Sequence, residues 1–252
     1  MMNGIKPKLY LIPQGGFGNR MWSYEIAYQL NKKFGYPWDI IMDTQFFPEV
    51  KYLDFPYVKQ GGMKPSPIIK SLEDIDTSKD YKIGSYAVKL YSELRGDYNP
   101  SKPITLKDEL LEEEIKLKMK DTIGVHIRRG DVTDALNPSH GAYGIQPMVY
   151  DDYYRTTMNE YKDKKFYIST DGTWDEVKWI WDEFDVINEY VDVKRNYFYT
   201  NNGNFPFSKV EALDLFHLLH SEIFIMGLST WSEWVQRQRK DVNCKVPPIN
   251  FE

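Results

Sequence analysis

The sequence has almost no cysteine, no long apolar run and no excess of positive charge, and each absence excludes a class of protein. Cys244 is the only cysteine in 252 residues, which excludes an intrachain disulfide and argues against a cysteine-based metal cluster. The chain has no run of about 18 apolar residues to span a membrane and no signal-peptide h-region. A net charge of −5 argues against a nucleic-acid-binding protein, which would need a basic face. We therefore expect a soluble, cytoplasmic protein.

The sequence contains enough apolar residues to form a hydrophobic core. Hydrophobic residues make up 42% of the chain and aromatic residues 15%, and the length suits one large domain or two small ones. Before residue 103 the sequence has many prolines and weak hydrophobic periodicity, whereas after it the hydrophobic periodicity is regular. We therefore predict an N-terminal domain over 1–103 and a C-terminal domain over 104–252.

The most informative stretch is a short apolar strand that leads directly into two arginines. The alternation of Ile123, Val125 and Ile127 is typical of a buried strand over 122–127. In an open α/β sheet, ligands bind at the carboxyl ends of the strands. The planar fork of an arginine suits two-point contact with a phosphate, so Arg128 and Arg129 indicate a diphosphate site. The alternative is a structural arginine–aspartate pair at a strand end.

The C-terminal half alternates strand and helix patterns, which predicts a parallel sheet. The predicted strands and helices are, in chain order, strand 122–127, helix 150–161, strand 165–170, helix 175–181, strand 185–190, helix 209–220, strand 222–226 and helix 231–240. The loops that follow three of these strands should share one sheet edge. This edge would bring together His126, Arg128, Asp171, Ser229 and Thr230. Asp171 would either accept from a nucleoside or cap a helix, and Ser229 or Thr230 would cap the last helix, whose start can bind an anion.

The N-terminal half opens with the strand–loop–helix–strand order of nucleotide-binding folds. A strand over 8–13 leads to a glycine-rich loop over 14–20, a helix over 21–34 and a strand over 38–42. The loop is neither a dinucleotide fingerprint nor a P-loop, and a plain turn is the alternative.

The remainder of the N-terminal half has weaker patterns. A weak strand signal spans 82–88, and a charged helix is predicted over 106–120. Asp74 and Asp76 form either a DxD metal pair or a solvated loop edge, and the second interpretation is favoured.

Four segments, in order, resemble the α-1,2-fucosyltransferase family. Residues 15–21 (GGFGNRM) resemble the family's GGLGNQM start, and residues 126–131 (HIRRGD) resemble the HxRRxD motif shared with α-1,6- and protein O-fucosyltransferases. Residues 166–171 (FYISTD) resemble a strand ending in SD or TD, and residues 214–234 resemble the C-terminal block that ends in SSFSWWGAW. The chain departs from the pattern at Arg20, where many members have glutamine, and at Glu233.

The resemblance implies a GT-B-type α/β architecture, with two Rossmann-like domains and the active site in the cleft. It implies an inverting glycosyltransferase that moves L-fucose from GDP-fucose to a glycan hydroxyl, with an α-1,2 linkage and no metal or other cofactor. The alternatives are a transferase of the same fold that uses another nucleotide sugar, and a non-catalytic module that binds glycan or nucleotide.

The resemblance also implies roles for individual residues. Arg128 would bind the β-phosphate, and Arg129 would support the loop or add a second contact. His126 and Asp171 would contact the guanosine, and Ser229 with Thr230 would hold phosphate oxygens. The donor-side contacts from the N-terminal domain would come from Gly16, Phe17, Gly18 and Asn19.

The acceptor hydroxyl would lose its proton to a carboxylate or an imidazole just after the arginine loop. The candidates are Asp131, Asp134 and His140. Asp131 has a second possible role, since a salt bridge from it would hold the arginines in place.

Overall fold

The computed structural model describes residues 6–12, 17–84, 90, 93–94, 104–129, 149–192, 209–239 and 243–247. These residues divide into two compact units, the first ending at Lys107 and the second beginning at Asp108. Each unit contains a four-stranded sheet with parallel pairing throughout, which confirms the predicted α/β class. The assignment of 1–103 to the acceptor and 104–252 to the nucleotide sugar stays a prediction. In the described part of the chain, no helix has both the length and the apolar character needed to cross a membrane.

The first unit is a small parallel sheet with one long helix in its described part. Its elements are β1 (Lys8–Leu11), α1 (Phe17–Lys33), β2 (Asp39–Met42), a 3-10 helix (Pro48–Lys51), β3 (Leu53–Asp54), β4 (Val58–Gln60), a second 3-10 helix (Leu72–Asp74), β5 (Tyr81–Ile83) and β6 (Thr105–Leu106). The strand order is β4-β2-β1-β5, and β3 pairs with β6 in an antiparallel ladder.

Helix α1 begins earlier than the sequence indicates. The predicted start was residue 21, but Phe17 already opens the helix, so Gly18, Asn19 and Arg20 are helical rather than part of a loop. The helix ends at Lys33, one residue before the predicted end, because Gly35 adopts a positive φ of 74° and Pro37 follows.

A buried ion pair ties α1 to the 3-10 helix at Pro48–Lys51. Arg20 Nε donates to Glu49 Oε1, and the two side chains are 1% and 0% exposed. Arg20 is one of the two residues that depart from the fucosyltransferase pattern, and it has a structural partner in Glu49. Charges this deeply buried are tolerated only when paired.

The second unit surrounds the six-residue strand β7. Its elements are α2 (Glu109–Met119), β7 (Thr122–Ile127), α3 (Asp151–Asn159), β8 (Lys165–Thr170), α4 (Trp174–Val177), α5 (Trp179–Glu183), α6 (Lys209–His220), β9 (Ile223–Ile225), α7 (Thr230–Gln238) and β10 (Cys244–Lys245). The strand order is β10-β9-β7-β8, and every residue of β7 is buried.

The two faces of β7 pack against different layers. Ile123, Val125 and Ile127 belong to the core cluster that also contains Tyr154 of α3 and Ile180 of α5. Gly124 lies on the other face, where a Cβ would come within 2.7 Å of Ser221 Oγ, just after α6. Alternating side chains therefore place helices on both faces of the sheet.

The predicted strand over 185–190 is wrong. Only Val186 forms an isolated bridge, with Phe166. Beyond it, the side chain of Asn188 bonds to both the backbone N and O of Ile168, at 2.9 Å each. A side chain thus replaces the backbone ladder that a strand would have supplied.

Other boundaries differ by smaller amounts. The predicted helix over 175–181 is two short helices, α4 and α5, separated at Lys178, and the predicted helix over 106–120 is preceded by β6 and starts only at Glu109. Strand β10 was missed by sequence reasoning. Strand β7, strand β8 and helix α6 have the predicted bounds.

Replacing Glu49 with alanine should lower the free energy of unfolding by about 3–5 kcal/mol, because the buried guanidinium of Arg20 loses its carboxylate. The measurement is urea denaturation. Glu113→Ala is the matched control, since Glu113 is 66% exposed in its pair with Lys116 and should cost under about 1 kcal/mol. Equal effects of the two substitutions would contradict a structural role for the buried pair.

Candidate active site

Three chain segments meet at one edge of the second sheet. Arg128 follows β7, Asp171 follows β8, and Ser229 lies between β9 and α7. Strand β7 pairs in parallel with both β8 and β9, so the carboxyl ends of all three strands lie side by side. The predicted neighbourhood is therefore present, and all of these residues belong to the second unit.

Asp171 holds the segment that follows β7. Its Oδ2 accepts from Arg128 NH1 at 2.5 Å, and its Oδ1 accepts from the backbone N of Arg129 at 2.6 Å. The alternative role as a helix cap is wrong, because Thr173 caps α4 in a capping box with Glu176. A guanosine contact by Asp171 stays a prediction. The guanosine would be a third hydrogen-bond donor to the Asp171 carboxylate, which already accepts from Arg128 and Arg129.

The two arginines differ sharply in their surroundings. The Arg128 side chain is 24% exposed, whereas that of Arg129 is 5% exposed. Arg129 NH1 donates to Val149 O at 2.7 Å, and its NH2 donates to Asp151 at the start of α3. Both terminal nitrogens of the Arg129 guanidinium are thus held by neighbouring groups, and Arg128 is the more exposed of the two arginines. A ligand contact by Arg128 stays a prediction.

His126 is buried at the end of β7 and lies against α7. Its Nδ1 is 2.6 Å from Ser232 Oγ, and its ring stacks on Trp231 with 6.0 Å between centroids. Burial lowers the pKa of His126 from 6.5 to about 4; the charge of Asp171 opposes this shift and that of Arg128 adds to it. The imidazole is therefore neutral at pH 7.

The start of α7 lies at the same edge of the sheet. Ser229 is the N-cap, and its hydroxyl accepts from Ser232 N at 3.0 Å. Ser229 and Thr230 are both partly exposed. The N-terminal amide groups of α7 therefore lie at the same sheet edge as His126, which contacts Trp231 and Ser232.

Gly227 allows the segment after β9 to pack closely against His126 and Tyr154. The sequence did not lead us to predict this role. A Cβ there would lie 2.9 Å from the backbone O of His126 and 2.8 Å from Tyr154 Oη. Since the Oη of Tyr154 itself donates to His126 O at 3.2 Å, three segments converge at this point. A glycine immediately after a predicted strand was the available signal.

A second missed group is a carboxylate behind the edge. Asp214 of α6 accepts from Tyr167 Oη at 2.6 Å and from Ser169 Oγ at 3.0 Å. Burial raises the pKa of Asp214 to about 6, against the lowering effect of both hydrogen bonds. Ser169 is in register with His126, so this group lies directly behind the site. Asp214 falls in the fourth motif, but the sequence assigned it no role.

The remaining predicted residues are placed as follows. In the first unit, Phe17 and Gly18 are buried and Asn19 is partly exposed in the first turn of α1. The predicted residues Gly16, Asp131, Asp134 and His140 lie outside the described residues.

The candidate metal pair has local partners. Asp74 Oδ2 accepts from Ser71 Oγ at 3.1 Å, and Asp76 Oδ1 accepts from Ser78 N and Oγ. The Ser78 hydrogen bonds lower the pKa of Asp76 to about 2. These contacts match the loop-edge interpretation. Across the described ranges, no three histidine, cysteine or acidic side chains are grouped to hold a metal ion.

Comparison with known proteins gives a result at the level of the fold. The sequence matches no protein-family model, and a search of curated proteins finds no match. Among solved structures, the fucosyltransferase NodZ from Bradyrhizobium aligns with a TM-score of 0.51 at 13% identity, over 92% of this chain and 93% of that one. POFUT1 in complex with GDP aligns with a TM-score of 0.49 at 11% identity, over 95% and 97%. The NodZ match confirms the predicted GT-B-type fold.

The neutral state of His126 predicts a specific pH dependence. An unfolded histidine binds a proton near pH 6.5 and folded His126 near 4, so the contribution of His126 to the free energy of unfolding should fall by on the order of 3 kcal/mol as the pH drops between these values. Buried His217, whose pKa is also lowered to about 4, adds a fall of the same sign. The measurement is urea denaturation from pH 7 to pH 4.

The His126→Gln variant isolates this effect. Asp214 has a raised pKa and shifts stability in the opposite direction between about pH 4 and 6, so the difference between variant and parent is the informative quantity. The variant should lose less stability on acidification than the parent. Parallel curves for the two proteins would show that His126 titrates normally in the folded state.

Proposed function

We propose that the chain is an inverting glycosyltransferase that transfers L-fucose from GDP-fucose to a glycan hydroxyl, forming an α-1,2 linkage. The observation that carries the proposal is that Arg128 and the start of α7 both follow strands whose carboxyl ends lie side by side at one edge of a parallel sheet. Both features favour a diphosphate, and the residues that form them lie in two of the four fucosyltransferase-like motifs.

The reaction breaks the bond between fucose C1 and the β-phosphate oxygen. Its electron pair leaves with GDP while positive charge develops on the sugar ring. Arg128 and the amides at the start of α7 would stabilise the departing diphosphate, the role that a metal ion has in other transferases. The acceptor oxygen then bonds to C1 from the opposite face, and its proton passes to a base, for which Asp131, Asp134 and His140 are the candidates.

Asp171 and Arg129 would act by keeping Arg128 in position. Asp171 binds the Arg128 guanidinium directly and the following backbone N–H, and Arg129 anchors the same segment to α3. A donor group that is already oriented loses little energy to reorganisation when charge develops on the ligand. His126 and Asp171 would contact the guanosine, Ser229 and Thr230 the phosphates, and Gly16, Phe17, Gly18 and Asn19 would approach the donor.

The test of the proposal is calorimetric titration with GDP-fucose, GDP-mannose, GDP and UDP in the presence of a chelator. We expect the guanosine ligands to bind and UDP not to bind, without any metal. Equal affinity for GDP-fucose and GDP-mannose would favour a transferase that uses another sugar. GDP binding with no turnover on any donor and acceptor would favour a binding module, and no GDP binding would overturn the proposal.

Replacing Arg128 with alanine should reduce the transfer rate by about 10²–10³ and leave the fold intact, because one positioned donor to the leaving group is lost. The control is Arg155→Ala, which removes an arginine of the same unit from its exposed pair with Glu183 on α5. Fucose transfer and thermal unfolding are measured for both variants. Full activity of Arg128→Ala would contradict its role in binding the diphosphate.

A further inference from the structure

One face of the first sheet carries a groove to which the proposed reaction has so far assigned no role. In register across β1, β2 and β4, one face presents Lys8, Tyr10, Asp39, Ile41 and Lys59. The opposite face presents Leu9, Leu11, Ile40 and Met42, each at most 1% exposed. The groove on the polar face has a volume of about 660 Å³, and all of its lining residues belong to the first unit.

The groove is positively charged although the whole chain is acidic. Its lining contains four lysines and one carboxylate, from Lys6, Lys8, Lys59, Lys64 and Asp39, whereas the chain has a net charge of −5. Lys59 neutralises Asp39 through a contact of 2.8 Å, and Lys6 donates to Tyr36 O at 3.3 Å. Lys8 and Lys64 have no ion-pair or hydrogen-bond partner for their ammonium groups within the described ranges.

Tyr10 gives an independent indication that the groove has a ligand. Its side chain is 1% exposed, and its hydroxyl has no hydrogen-bond partner in the part of the chain that the structure describes. Burial of an unpaired hydroxyl is costly, so such groups are rare in proteins. Because Tyr10 lines the groove between Lys8 and Ile41, a bound molecule could supply the missing partner.

We propose that this groove binds an acidic saccharide, with its anionic group on Lys8 and Lys64 and one of its oxygens on the Tyr10 hydroxyl. A volume of about 660 Å³ lies in the range of small-molecule sites and far exceeds a single inorganic anion. Gln60 and the paired Asp39 add acceptors and donors that suit sugar hydroxyls. The identification of this saccharide as part of the glycan acceptor rests on the proposed function, whereas the binding itself does not.

The experiment is titration of the full chain with a tetrasaccharide of alternating glucuronic acid and N-acetylglucosamine. Tetra-N-acetylchitotetraose is the neutral ligand control, and inorganic phosphate is the simple-anion control. We expect saturable binding of the acidic tetrasaccharide only. Lys8→Ala and Lys64→Ala should each weaken it about tenfold, as expected when one direct charged contact is lost, and Tyr10→Phe should weaken it several-fold.

The protein-side control is Lys51→Ala, since Lys51 is an exposed lysine of the same unit outside the groove. It should leave affinity unchanged. Removing the orphan hydroxyl in Tyr10→Phe should not lower the unfolding midpoint, so weaker binding by this variant reports a lost contact rather than a lost fold.

Three results would overturn the groove assignment. They are equal binding of the neutral tetrasaccharide, equal weakening by Lys51→Ala, and binding of phosphate without the acidic tetrasaccharide. The same preparations are titrated with GDP, which separates the two proposals. Saccharide binding without GDP binding supports the groove and overturns the proposed transferase, whereas GDP binding without saccharide binding overturns the groove alone.

Discussion

The arrangement of the candidate site depends on the carboxylate of Asp171. It accepts from a guanidinium and from a backbone N–H of the segment after β7, and it belongs to the neighbouring strand β8. One partly buried charge therefore joins the ends of two strands and sets the position of Arg128. In these surroundings the attraction is stronger than it would be in water. Gly227 brings the end of β9 to the same place because it has no side chain to collide with His126 O.

The adjacent residues Arg128 and Arg129 have different surroundings, because the chain leaves the sheet at this point. Arg129 is buried and donates to Val149 and Asp151, which fixes the segment to α3. Arg128 is 24% exposed at the edge of the sheet, where it pairs with Asp171. An isolated pair of arginines in a sequence has no feature that distinguishes the supporting one from the exposed one. The difference comes from burial, which only the packed structure defines.

Two buried polar groups behind the edge differ in charge. Burial holds His126 neutral against Ser232. Burial also raises the pKa of Asp214, but only to about 6, so at pH 7 it is mostly a carboxylate that accepts hydrogen bonds from Tyr167 and Ser169. The polar face of the first sheet has a different charge distribution, with four lysines and one paired aspartate. The two units thus place their cationic side chains differently, an arginine held by a carboxylate in one and a lysine-lined groove in the other.

The sequence by itself determined the elements whose signals are local. Strands β7 and β8 and helix α6 have their predicted bounds because alternating and helical periodicities express burial directly. The α/β class and the common edge of Arg128, Asp171 and Ser229 followed from that order. Tertiary structure alone decided the rest: Asn188 replaced a predicted strand by bonding to Ile168, β10 formed by pairing with a distant strand, and Glu49 gave Arg20 a buried partner. These outcomes depend on contacts between residues far apart in the chain, which no local pattern encodes.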